Sequence, residues 1–131
     1  MYYSYEWIGW KNESESTPPV ELLFEFENVR NFTEVRITTN NMFTKEVRVF
    51  REAQLYFSIA GEYYQEKPVV FAYMRDTLIE YARPIIINIP NRVGRYVKVK
   101  LFFDAKWILI SEVRFESGTE KTLLYVVYRS L

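Results

Sequence analysis

The sequence contains no cysteine and no histidine in 131 residues. Without cysteine there is no thiolate nucleophile, no cysteine-bound zinc and no disulfide. Without histidine there is no imidazole base, no Ser-His-Asp triad and no histidine-bearing zinc site. Aspartate occurs only at Asp76 and Asp104, far apart in the chain. Catalysis by Lys, Tyr, Ser or paired Glu stays chemically open, but no spacing groups such residues. These absences point away from an enzyme.

An excess of either charge is also missing. Lys plus Arg and Asp plus Glu each number 17, so the formal net charge is zero. A nucleic-acid binder normally carries a basic excess that displaces counterions from phosphates, and nucleic acid is therefore not expected as a partner. The opening stretch MYYSYEWIGW has neither a basic n-region nor an apolar h-region, so no signal peptide is read there. The longest apolar runs fall short of the ~20 residues that span a bilayer, and direct membrane insertion by this chain is not expected. Lack of cysteine fits a reducing compartment, which keeps an intracellular enzyme or scaffold open at this point.

What is present is apolar and aromatic: 49% hydrophobic residues and 18% aromatics, with 11 Tyr and 10 Phe. Aromatic and β-branched side chains suit a pleated surface, so the composition favours strands. At this length one domain can bury a sizeable core. Period-two alternation, the mark of a half-buried strand, runs through Val20–Glu27, where Phe24 and Phe26 oppose Glu25 and Glu27. It returns in Phe32–Thr39, with Val35 and Ile37 opposite Glu34 and Arg36. It is clearest in Arg95–Phe103, where Val97, Val99, Leu101 and Phe103 oppose Lys98 and Lys100.

Further strands are predicted at Glu46–Phe50, Ala53–Ser58, Val69–Tyr73 and Ile85–Ile89. Lys106–Phe115, apolar on both faces, is predicted to be a central strand, and the run Leu123–Tyr128 closes the chain. Turns are expected at Asn28–Asn31, Asn40-Asn41, Pro90-Asn91 and Asp104-Ala105, with loops over Glu13–Pro19 and Ile59–Lys67. Arg75–Arg83 alone has modest helical character, ended by Pro84. Short strands at regular spacing predict an all-β sandwich or barrel.

Three features carry chemistry, each with a plainer reading beside it. Asn12-Glu13-Ser14 and Asn31-Phe32-Thr33 are N-glycosylation sequons in expected loops; seven asparagines give about one sequon by chance. Ser111-Glu112 sits in an otherwise apolar strand. The pair either offers oxygens to a hard cation such as calcium, or is a solvated strand end or a buried hydrogen bond. Tyr2, Tyr3, Tyr5, Trp7 and Trp10 form a dense aromatic cluster, either a binding face or, as we read it, residues packed under a neighbouring segment.

In order, Tyr5-Glu6-Trp7-Ile8-Gly9-Trp10-Lys11-Asn12-Glu13-Ser14, Val20-Glu21, Phe24-Glu25-Phe26, Arg30-Asn31-Phe32-Thr33, Asn40-Asn41-Met42-Phe43 and Trp107–Val113 with Phe115 resemble the second extracellular, discoidin-like domain of the discoidin domain receptors. These are collagen-activated receptor tyrosine kinases. The ordered set covers about Tyr5 to Gly118.

The resemblance implies a jelly-roll β-sandwich of the galactose-binding-like type over residues 1–118, with residues 119–131 as a C-terminal extension. It implies the extracellular face of the plasma membrane, in a single-pass receptor, with glycans on Asn12 and Asn31. Calcium is implied as cofactor, with Tyr5, Ser111 and Glu112 as part of its site. The chain would do no chemistry of its own and would support activation by collagen, which the neighbouring domain binds. A receptor dimer partner is implied as well.

The family's domain starts before Tyr5, so its N-terminal part is expected to be missing here. The two cysteines of the family's disulfide align with Leu55 and Val99, where an apolar contact would stand in for the bridge. An alternative of the same fold is a stand-alone lectin-like or adhesion module that binds carbohydrate or protein.

Overall fold

The structure is a computed structural model that describes residues 7–117 and 120–122. Among the described residues seven antiparallel strands make one sheet: β1 (Ile8–Lys11), β2 (Val20–Thr39), β3 (Glu52–Ser58), β4 (Val69–Ala72), β5 (Arg83–Phe102), β6 (Trp107–Ser117) and β7 (Glu120–Thr122). Their order is β1-β6-β2-β5-β3-β4, with β7 also paired to β6.

Two strands of twenty residues turn this single sheet into a sandwich. The first half of β2 pairs with the end of β5, from Val20 opposite Leu101 to Glu25 opposite Tyr96. Its second half pairs with the start of β5, from Glu34 opposite Asn88 to Thr39 opposite Arg83. β3 and β4 extend the first half, while β6 and β1 extend the second. The halves face each other through aromatic rings. Phe24 from the first lies 5.0 Å edge-on from Phe115 on β6, and Phe26 lies 5.6 Å from the same ring. Edge-to-face rings set positive rim against negative face and add to area burial.

The alternation read from the sequence holds on these strands. Leu22, Phe24, Phe26, Val35, Ile37, Val97, Val99 and Leu101 are all buried, and Phe103 packs against the core they form. β6 lies inside the sheet, flanked by β1 and β2.

Several expectations are corrected. Asn28–Asn31 and Pro90-Asn91 are not turns but lie within β2 and β5. The β2–β5 register shifts between Glu25 and Arg30 and again between Phe32 and Glu34, and Asn91 takes a φ of 49°. Polar, left-handed-tolerant residues therefore mark places where both strands bend from one layer into the other. Asn31 consequently sits in a strand and not in a loop.

Glu46–Phe50 is not a strand. A single 3-10 turn, Phe43–Lys45, precedes it, and Val47 bridges to Met42 and Trp107. Val47, Val49 and Phe50 are still buried. Arg75–Arg83 is not helical, for reasons given below. β1 was not foreseen as a strand within the aromatic cluster; of that cluster Trp10 packs on the core and Trp7 is half-buried. Tyr2, Tyr3, Tyr5 and Leu123–Tyr128 lie outside the described residues.

Candidate functional site

Ser111 and Glu112 owe their position to a β-bulge. On β6, Ile108 and Ile110 face the core, then Val113 and Phe115 do. Even positions give way to odd ones between them. The pairing with β2 shows the same step, Thr38 opposite Glu112 and Thr39 opposite Ile110, with Ser111 as the extra residue. An inserted residue re-aims the side chains that follow, and here it lets one strand keep the core filled on both sides of the bend. It also explains two successive polar residues in an apolar strand.

A cavity of about 360 Å³ opens over this bulge, lined by Trp7, Arg36, Thr38, Ser111, Glu112 and Arg114 together with Ala82–Pro84. Arg36 and Arg114 stand directly opposite each other on β2 and β6, an unfavourable pairing of like charges. Glu112 offsets it: its Oε1 accepts from Arg114 Nη2 at 2.7 Å and Nε at 3.2 Å. The Ser111 hydroxyl is buried and has no hydrogen-bond partner among the described residues.

These residues fit part of a calcium shell. They present one hydroxyl without a partner among the described residues and one carboxylate, whereas calcium takes 6–8 oxygens. Glu112 would have to exchange Arg114 for the ion. No cluster of three or more His, Cys, Asp and Glu side chains exists among the described residues. Tyr5, the third implied ligand, lies outside them.

A second constellation, missed by the sequence reading, organises residues 73–82. Arg83 opens β5 beside the buried Thr39 and is itself only 6% exposed. Its guanidinium donates to Asp76 Oδ2 at 2.7 Å, to the Tyr73 hydroxyl at 3.0 Å and to the Ile79 carbonyl at 2.9 Å, with the Tyr81 ring 3.7 Å away.

Buried Asn41 donates from Nδ2 to the carbonyls of Asp76 and Ile79, both at 3.1 Å. Asp76 Oδ1 accepts the amides of Leu78 and Ile79. Glu80 accepts the Thr44 amide at 2.7 Å and its hydroxyl, and Arg75 makes a two-pronged pair with Asp104 at 2.6 and 2.9 Å. Hydrogen bonds from Arg83 hold the Asp76 carboxyl below the usual carboxylate range, and those from Thr44 do the same for Glu80. Backbone groups that a helix would pair internally are taken by Arg83 and Asn41. Asp76, a strong local turn former, was the signal for this loop.

The loop turns apolar side chains outward: Met74 is 90% exposed, Leu78 87%, Ile79 60% and Tyr81 51%. Of the sequons, Asn12 follows β1, half-buried, its amide bonded to the Lys106 carbonyl at 2.7 Å. Asn31 is exposed on β2, opposite Val93.

The single antiparallel sheet, bent into two layers, is consistent with a β-sandwich of the discoidin-like class. A sequence profile of the discoidin domain-containing receptor 1/2 DS-like domain matches residues 1–117. The chain belongs to that family, as the DS-like extracellular domain of a receptor.

It is 37% identical over 116 residues to discoidin domain-containing receptor tyrosine kinase B of Caenorhabditis elegans, which covers 87% of this chain and 14% of that relative. It is 32% identical over 120 residues to discoidin domain-containing receptor A of the same worm, 90% of this chain and 15% of the relative. It is 31% identical over 118 residues to mouse epithelial discoidin domain-containing receptor 1, 89% of this chain and 13% of the relative. The chain thus spans about one-seventh of these relatives. The kinase activity of such receptors lies in a separate domain, outside the matched stretch. No described helix is long and apolar enough to cross a membrane.

Proposed function

We propose that this chain is a regulatory domain on the extracellular face of the plasma membrane. Its parent is a single-pass receptor tyrosine kinase, and the domain supports collagen-dependent activation while a neighbouring domain binds collagen. The match of residues 1–117 to the receptors' DS-like domain carries this reading. The architecture is suited to it: β2 and β5 each run through both layers, so displacement of one layer is passed to the other through continuous backbone. The partners are the collagen-binding neighbour and a second receptor chain. Glycans on Asn12 and Asn31 shield the surface. Calcium is held in part by oxygens of Ser111 and Glu112, with Tyr5 as a further ligand.

The test has two arms. The isolated chain should fail to retain collagen. In the full receptor, Arg83→Gln, which frees the 73–82 loop, should change collagen-driven phosphorylation. Direct collagen binding by the chain would favour an adhesion module instead, and unchanged phosphorylation would defeat the regulatory reading.

A further inference from the structure

At the bend between the layers an apolar depression of about 270 Å³ lies open to solvent, lined chiefly by Phe57, Ile59, Ala60, Tyr63 and Val93. Tyr63 is 85% exposed, Ile59 61% and Val93 43%. A contiguous apolar patch on a domain surface marks a place that something covers. Phe57 beneath it is fully buried, so the floor is fixed by the core. Gln65 is held by a hydrogen bond from Arg92 Nη1 at 2.9 Å and by its own amide to the Phe57 carbonyl at 3.0 Å. Its loop wall, residues 59–65, is thus tied at Gln65 to β3 and β5.

The occupant is suggested by strand register. Val93 is the direct cross-strand partner of Asn31, so the two side chains leave the same face with Cβ atoms about 4.5–5.5 Å apart. Asn31 is exposed and heads the sequon Asn31-Phe32-Thr33. A sugar joined to its amide begins at the edge of the depression. N-acetylglucosamine has an apolar ring face of C–H groups and an acetyl methyl, which suit the face of a tyrosine ring and a valine wall, while its hydroxyls stay in water.

We propose that the first sugar of a glycan on Asn31 packs into this depression against Tyr63 and Val93, acting as a structural part of the surface. The inference rests on the reading of Asn31 as glycosylated. It gives the glycan a defined seat.

The test uses the chain secreted from eukaryotic cells, with site occupancy read by peptide mass. Hydrogen exchange of residues 59–65 is then compared for the intact glycan, for a single-sugar stub left by an endoglycosidase, and for Asn31→Gln. The stub should protect these amides as well as the intact glycan does. Loss of the sugar should speed their exchange roughly threefold or more, and Tyr63→Ala should remove that difference. Asn12→Gln should leave it intact. An unmodified Asn31 would overturn the glycosylation reading and the seat with it. An occupied Asn31 with unchanged exchange, or a difference that persists in Tyr63→Ala, would overturn the seat alone.

Discussion

Leu55 and Val99 lie directly opposite each other on β3 and β5, both fully buried. The resemblance to the receptor family sets its cysteine pair at these two positions. Directly opposed residues on neighbouring antiparallel strands fall within the Cα separation a disulfide requires, and here two buried apolar side chains occupy that geometry.

Two substitutions test that contact. Leu55→Ala should cost about 2–5 kcal/mol, since it removes buried methyl groups and leaves a cavity. Leu55→Cys with Val99→Cys should form a bridge that, when oxidised, adds about 2–4 kcal/mol over its reduced form. Denaturant unfolding with and without reductant reads both.

The loop over residues 73–82 should loosen in acid. Asp76 and Glu80 are held below the ordinary carboxylate range by Arg83 and by Thr44. A depressed carboxylate contributes fully above its unfolded value, and the contribution fades as pH falls through the folded one. Order in the loop should therefore persist from neutral pH through the ordinary carboxylate range and be lost below it. Backbone relaxation of residues 76–80 against pH follows this. Asp76→Asn should show a loosened loop already at neutral pH.

Arg114 competes with any cation at Glu112, because it holds that carboxylate at 2.7 Å. In a calorimetric titration with calcium, Glu112→Gln should abolish the heat of binding. Arg114→Gln should tighten binding roughly fivefold, the equivalent of ~1 kcal/mol for a half-exposed ion pair. No signal in any variant would remove Ser111 and Glu112 from the calcium site.

The bulge predicts a contrast at one position. Ser111→Ala removes a buried hydroxyl without a partner among the described residues and should leave stability unchanged or slightly higher, since a buried polar group costs when unbonded. Deleting Ser111 shifts Val113 and Phe115 to the outer face and should abolish cooperative unfolding. Thermal melts of the two variants separate these outcomes.

Much of the sandwich was legible because alternation is a local property. The side chains of Phe24, Phe26, Val97 and Val99 alternate with charges, and only one face of such a strand can be buried. Ser111 and Glu112 were visible for the same reason, as polar residues where apolar ones were expected. The helix read over Arg75–Arg83 failed because Leu, Glu, Ala and Arg suit a helix in isolation. Nothing nearby in sequence announces that Asn41, some 35 residues earlier, takes the carbonyls of Asp76 and Ile79.

Composition and alternation alone were enough to specify strands, to exclude histidine and cysteine chemistry and to mark the residues of the core. Those are consequences of which side chains exist and how often they repeat. That Asn28–Asn31 and Pro90-Asn91 are bends and not turns, that Leu55 meets Val99, and that Asn31 sits beside Val93 were settled only when distant segments paired. Register is a relation between strands, and it is fixed by how two apolar faces fit together.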